Sequence, residues 1–352
     1  MNRIRLQGTA EQRGAKHGEV LREQIAEGVA QWLDVLAART RKPPHEIIHE
    51  FVQTTRFDKA IRRWTPDLLL ELRALSHAAL QPYATMLAFN LMDEEWWWTW
   101  KRGYHANPES GHRPPGCTTV GVRLGPRCVP ILGQNMDLPR HYSDHRIVLD
   151  IESDDGPNAA VLSTAGMLAI AGCNDGPLAV CVNTLMGLNR SEEGLPVAFT
   201  IRRILQHGSA QEAVSFLHSI KHASGQNYAI ADGHEIRDVE CSASRTVEWA
   251  EEHDRLAHAN HPLANQDLDP DYGGDHPNTY ERQRAAESAL MTSSKVGDLY
   301  EILRDRSVPI CQTGAHPHSN HTFATIITEL TSPPKMYVTQ GPPHEHRLEE
   351  AR

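Results

Sequence analysis

The chain has 352 residues, 39% of them hydrophobic and 23% charged, with a formal net charge of −10. This is the composition of an ordinary globular protein with a sizeable core, in one large domain or two modest ones. The acidic balance excludes a general nucleic-acid binder, which neutralises phosphates with clustered Lys and Arg, and the sequence lacks the ~18-residue apolar run of a membrane helix. The opening Met1-Asn2-Arg3-Ile4-Arg5 has no apolar stretch behind it, so no secretory signal is expected. Six cysteines (117, 128, 173, 181, 241 and 311) contain no Cys-x-x-Cys pair. That spacing predicts neither a disulfide framework nor a thiolate zinc site, and points to the reducing cytoplasm.

The first third reads as helical. Thr9 and Gln12 have capping-box spacing, and Leu21, Ile25, Val29, Trp32 and Leu36 follow at steps of three or four. Thr65-Pro66 marks a second helix start, with Leu68, Leu69, Leu72 and Leu75 behind it. Gly14 and Gly18 read as helix-packing positions. After Trp96, Trp97, Trp98 and Trp100, a breaker-rich stretch from Arg102 to Gly116 forms the clearest linker.

At Cys117 the period changes from helical to two. Strands are predicted over 117–122, 129–132, 146–152, 159–163, 168–171 and 178–183, with Asp155-Gly156 and Asp175-Gly176 as hairpin signals. Helices follow over 197–206 and behind a Ser209 cap, then strands at 227–231, 236–241 and 245–249. Two more helices (279–289, 296–305) and two strands (323–329, 335–340) close the chain. Hairpins, a helix pair, more hairpins and another helix pair predict two sheets with helices outside them.

Gly116-Cys117-Thr118-Thr119 alone is a weak signal, because a cysteine opening a strand is usually a small buried hydrophobe. Its context is informative. The segment from Gly116 to Val122, followed by Gly133-Gln134-Asn135-Met136-Asp137, resembles the isopenicillin N acyltransferase family, relatives of the choloylglycine and penicillin V hydrolases. Further motifs fall in family order: Pro66 to Asn90, Gly172 to Asn183, Asn227 to Glu240, Ala259-Asn260-His261, Thr279-Tyr280-Glu281-Arg282, Thr322 to Ile327, and Val338 to Gly341.

The resemblance implies an α+β fold: a four-layer αββα sandwich of the N-terminal-nucleophile hydrolase type, preceded by a helical segment. It also implies self-cleavage at Gly116–Cys117, dividing the chain into residues 1–116 and the hydrolase domain 117–352, two pieces that remain partners. The chemistry is coherent. The Cys117 thiol can attack the Gly116 carbonyl, which a glycine crowds least. Hydrolysis of the thioester then frees an α-amine titrating near about 7.7–8.0, able to take the thiol's proton in later turnovers. By the same resemblance, Asp137 orients the Cys117 amine and thiol, and Asn260 donates to an oxyanion, a role worth roughly 3–4 kcal/mol. Arg282 pairs with the nucleophile region, Asn183 is a second oxyanion contributor, and Thr119 a lesser member. Met136 replaces the family's tryptophan between Asn135 and Asp137, which bears on pocket packing. Trp96, Trp97, Trp98 and Trp100 are read either as core or as an acyl-pocket wall.

The implied function is hydrolysis of a linear amide through a thioester at Cys117, with neither cofactor nor metal. The alternative is transfer of the acyl group, from an amide or acyl-CoA, to an amine; a third reading is a silent binding protein on the same fold. A remote rival is His45-Glu46-Ile47-Ile48-His49, a formal zinc motif that begins just behind Pro43-Pro44 and lacks a third ligand at the usual spacing. The His316/His318 and His344/His346 clusters read as solvated loops. The partners expected are a small amide or acyl-CoA; a homo-oligomer is left open by the sequence.

Overall fold

Thr9 accepts from the backbone of Gln12 while the Gln12 side chain accepts from the backbone of Thr9, so the capping box forms and starts the first helix. The computed structural model describes residues 1–105, 116–125, 128–154, 156–249, 254–274, 278–314 and 320–352. A short strand β1 (Asn2–Leu6) precedes seven helices: α1 (Ala10–Val20), α2 (Arg22–Thr40), α3 (Pro44–Thr54), α4 (Phe57–Trp64), α5 (Pro66–Ala78), α6 (Tyr83–Asn90) and α7 (Met92–Lys101). Gly14 and Gly18 are where α1 meets α5. A Cβ at either position would lie 2.0 Å from the Glu71 carbonyl oxygen or 2.5 Å from that of Leu75, so only glycine permits this approach.

The strands are β2 (Thr118–Val122), β3 (Ile131–Pro139), β4 (Arg146–Ile151), β5 (Ala159–Thr164), β6 (Ala171–Asn174) and β7 (Leu178–Thr184). The helices α8 (Val197–Ile204) and α9 (Ala210–Ser219) follow, then β8 (Gln226–Asp232), β9 (Ile236–Cys241), β10 (Thr246–Glu248) and β11 (Arg255–His258). The chain closes with α10 (Asn278–Leu290), α11 (Val296–Leu303), β12 (Asn320–Glu329), β13 (Lys335–Val338) and β14 (Glu349–Glu350). They form an eight-stranded sheet, β1-β4-β5-β6-β7-β8-β9-β10, and a six-stranded sheet, β11-β2-β3-β12-β13-β14. The sheets face each other through β2 and β3 against β7; α9 covers the first sheet, and α10 and α11 cover the second. The architecture is therefore α+β with four layers, αββα. Because both faces of the central strands are covered, β2, β5, β6, β7 and β8 are buried along their whole length rather than at alternate residues.

Two expectations change in position. The strand expected at 168–171 forms at Ala171–Asn174, after a turn in which Met167 donates to the Thr164 carbonyl. The strand expected to end at 132 continues to Pro139, so Asp137 stands in a strand interior. Asp155 and most of the linker, residues 106–115, lie outside the described residues. Among the described residues no helix is long and apolar enough to cross a membrane.

The helices before the linker are bolted to the sheets by buried polar contacts. Glu71 on α5 receives Arg13 from α1 at 3.1 Å and Arg202 from α8 at 2.7 and 3.0 Å. Burial alone would raise the Glu71 carboxyl, but the two guanidiniums outweigh it and hold it low. Asn90 at the end of α6 donates to the Gly166 carbonyl at 2.9 Å and accepts from Leu168 N at 2.8 Å, fixing the turn between β5 and β6.

Candidate active site

Cys117 immediately precedes β2 and is 2% exposed. Its Sγ accepts from the Asp137 backbone N–H at 3.4 Å and lies 3.5 Å from Met136 Sδ, both on the neighbouring β3. Register brings these together: Thr118 pairs with Asn135 across β2 and β3, so the residue before one meets the residues after the other. Burial pushes the thiol well above its usual range, and the nearby charge of Asp137 adds to this. An intact chain thus holds Cys117 as a thiol that needs a base delivered to it.

Asp137 is fully buried and pairs in register with Thr322 of β12, whose hydroxyl donates to Oδ1 at 2.6 Å. Its Oδ2 has no hydrogen-bond partner among the described residues. Burial pushes the carboxyl up to about 8, moderated by the Thr322 bond and the charge of Arg282. A buried carboxyl with one free oxygen beside the nucleophile fits a group that gains a cation only when an α-ammonium appears at Cys117.

Arg282 enters from the first turns of α10, with 1% exposure. Its Nη1 donates to the Cys117 carbonyl at 2.6 Å and to Thr118 Oγ1 at 2.9 Å, and its Nη2 donates to Asn260 Oδ1 at 2.9 Å. Asn260 also donates from Nδ2 to the Thr184 carbonyl at 3.0 Å. With Oδ1 fixed by Arg282 and one amide hydrogen on Thr184, the second amide hydrogen is the one left to offer. The loop carrying Asn260 hangs on Glu240, which accepts from His258 Nε2 at 3.0 Å and from the backbone N–H groups of Leu263, Ala264 and Asn265 at 2.5, 2.9 and 2.6 Å. Burial of Glu240 is outweighed by these donors and by the charge of His258, so its carboxyl is held low.

Asn183 and Thr119 take a different place. Thr119 donates to Asn183 Oδ1 at 2.6 Å, Gln134 Nε2 donates to Thr119 at 3.0 Å, and Asn183 donates to the His258 carbonyl at 3.0 Å. This network joins β2, β3, β7 and β11, and commits Asn183 Oδ1 and one of its two amide hydrogens.

A small cavity, about 40 Å³, opens at Cys117. Its walls are mostly apolar: Met136 and Leu138 from β3, Met92 from α7, Met167 and Ile170 from the β5–β6 turn, Val182 from β7, and Val197 and Ile201 from α8. None of the four tryptophans is among its lining residues. Trp98 packs edge-on against Phe51 and Tyr104, Trp96 against His105, and the Arg190 guanidinium lies over Trp97 and Trp100. The same helix instead contributes Asp93, whose Oδ2 accepts from Gln226 at 2.8 Å and Thr184 at 3.1 Å. Asp93, Thr322 and the Glu240 clamp carry no site signal in the sequence; Asp137 and Thr322 pair only because the strands expected at 129–132 and 323–329 extend to Pro139 and back to Asn320.

The remaining candidates lie apart from this constellation. His45 and His49 are exposed on α3, whose buried face is Ile47, Ile48 and Phe51, and no cluster of three metal-ligating side chains exists among the described residues. His316 and His318 lie outside the described residues. His344 contacts Cys311 and Glu345.

The model of the family described as acyl-coenzyme A:6-aminopenicillanic acid acyl-transferase matches residues 123–343, well over half the chain. The chain belongs to that family. The matched stretch holds Asp137, Asn183, Asn260 and Arg282 and begins six residues after Cys117. A curated relative, the 40 kDa form of the acyl-coenzyme A:6-aminopenicillanic-acid-acyltransferase of Emericella nidulans, is 24% identical over 280 residues, 77% of this chain and 73% of that protein. Among solved structures, a Caenorhabditis elegans N-acylethanolamine-hydrolyzing acid amidase ortholog is similar at 16% identity and a TM-score of 0.46, covering 61% of this chain and 93% of its own. A variant of the conjugated bile acid hydrolase of Clostridium perfringens is similar at 13% identity and a TM-score of 0.44, covering 63% and 89%.

Proposed function

We propose that this chain is a self-processing cysteine amidohydrolase that cleaves a linear amide through a thioester at Cys117. The observation that carries this is the position of Cys117: it opens an apolar cavity, follows a glycine, and has Asp137, Arg282 and Asn260 gathered around it, with no histidine on its sulfur among the described residues. In the intact chain the thiol attacks the Gly116 carbonyl, and water then splits the thioester. The new α-ammonium of Cys117 lies against the free oxygen of Asp137, and in its neutral form serves as base for the thiol. The thiolate attacks the substrate carbonyl, and the unspent amide hydrogen of Asn260 meets the oxyanion. Arg282 holds the Cys117 carbonyl and Asn260 in one grip, keeping nucleophile and donor in register. The acyl chain lies among Met136, Leu138, Val182 and Val197.

The second reading, transfer of the acyl group to an amine, is favoured by the acyltransferase activity for which the family and the Emericella relative are named. Both begin with the same thioester; whichever nucleophile reaches it first decides the product. A membrane-free substrate, an amide or an acyl-CoA, serves either reading.

Intact-mass analysis of the purified protein, followed by incubation with a library of small amides, tests the proposal. Two fragments are expected, the larger beginning Cys-Thr-Thr-Val, with an acyl adduct on that fragment. A fully active enzyme that stays one uncut chain overturns the mechanism.

A further inference from the structure

We propose that Gln312 is the oxyanion donor of the self-cleavage step, polarising the Gly116 carbonyl while Cys117 attacks it. The inference rests on the self-cleavage reading above and assigns a residue that substrate turnover does not use. Gln312 lies in the connection between α11 and β12, and its Nε2 donates to the Gly116 carbonyl oxygen at 3.4 Å. Arg282 holds the next carbonyl, that of Cys117, so consecutive carbonyls have separate donors.

The amide is placed by its own backbone. Gln312 N donates to Thr322 Oγ1 at 2.9 Å, and Thr322 N donates to the Gln312 carbonyl at 2.9 Å. The same Thr322 hydroxyl donates onward to Asp137 Oδ1. One threonine therefore fixes both the donor on the carbonyl being cut and the carboxyl beside the attacking thiol. Gly116 completes the arrangement, because a Cβ at that position would stand 2.2 Å from Gln312 Nε2. Glycine there does more than leave room for the sulfur; it leaves room for the amide.

In the step itself, the bond from Cys117 Sγ to the Gly116 carbonyl carbon forms and the oxygen takes up charge against Nε2. The bond from that carbon to the Cys117 nitrogen then breaks. The thiol's proton ends on the departing nitrogen, which becomes the α-amine; water splits the thioester and releases the Gly116 carboxylate. A donor already in place when the charge develops is the arrangement that lowers such a barrier, and its contact tightens as the oxygen becomes anionic.

The test follows cleavage of freshly synthesised chain in a cell-free system by intact mass, for the natural sequence, Gln312→Met, Gly116→Ala and the pair together. Gln312→Met keeps the volume and removes the donor, and slows cleavage at least about tenfold; loss of one oxyanion donor costs roughly a hundred- to thousandfold in turnover. Gly116→Ala folds, because the end of a glutamine side chain swings aside readily, yet slows cleavage by a similar factor. The double variant is no slower than the slower single one, since each change removes the same contact. If Gln312→Met does not fold, Gln312→Asn, whose amide is drawn back by one methylene, gives the same slowing. Cleavage of either folded Gln312 variant at the natural rate, or effects of the two changes that multiply, overturns the assignment. A natural chain that never cleaves overturns the self-cleavage reading instead, so the two failures are distinguishable.

Discussion

Two cysteines lie near one end of the sheet sandwich, and the one that looks less reactive is the better candidate. Cys311 Sγ is 3.2 Å from His344 Nδ1, and His344 Nε2 is 3.0 Å from Glu345, an outline of thiol, imidazole and carboxylate. Among the described residues Cys117 has no imidazole on its sulfur, and its thiol is pushed far higher by burial; that of Cys311 is pushed up to about 11. Yet only Cys117 lines the cavity, follows a glycine, and adjoins a carboxyl with an unused oxygen. A nucleophile is identified by the carbonyl it can reach and by the base available at the moment of attack. Under the proposed mechanism the base for turnover comes into existence only when the chain is cut.

The strongest way to break this contrast is to delete each sulfur. Cys117→Ala is expected to abolish both steps, leaving one intact chain and no measurable amide hydrolysis by mass and by a colorimetric amide assay. Asn260→Ala keeps the nucleophile and removes the donor, and is expected to lower kcat/KM by about a hundredfold. A smaller loss would move the oxyanion elsewhere along the cavity. Asp137→Asn is expected to slow turnover by roughly tenfold, because a neutral amide cannot offset the α-ammonium that the cut creates. Cys311→Ala is expected to leave turnover within about twofold of the parent, as a core-packing change away from the reacting atoms; loss of activity there would revive the His344 outline.

The smallest effect concerns pH. In uncut Cys117→Ala protein the folded state holds Asp137 protonated up to about 8, whereas the unfolded chain releases that proton near pH 4. The folded state then binds more protons, so stability falls as pH rises through that window. Glu94, pushed up to about 7 by burial and by Asp93, acts in the same direction. Denaturant melts at about pH 5 and about pH 8 should show this slope, and adding Asp137→Asn should flatten it.

Periodicity and capping made much of the architecture legible. The Thr9 box, the Pro66 helix start, the change to period two at Cys117 and the two helix pairs all depend on local patterns. β1 has no signature in the sequence, because its five residues sit in a basic opening and take strand form by pairing with β4. Family motifs also carry the candidate site, and the structure brings their residues near one another: Asp137 and Arg282 touch Cys117, and Asn260 is held by Arg282. Asn183 and Thr119 bond to one another, a pairing set by which face of β7 meets β2, and strand alternation leaves that unspecified in strands buried on both sides. Asp93 and Gln312 lie on elements far from Cys117 in sequence, and no local signal marks them.

β1 pairs in parallel with β4, so a strand from before the proposed cut is the edge of a sheet otherwise built from residues after it. Once Gly116 and Cys117 part, this edge, the Glu71 cluster and the Asn90 turn all become contacts between two molecules. Folding of the intact chain is first order; reassembly of the cut protein is second order. The midpoint of thermal unfolding should then rise with protein concentration in the cut form and stay constant in the uncut one. The proposed cut would turn a refoldable chain into an assembly whose persistence depends on how slowly its halves separate.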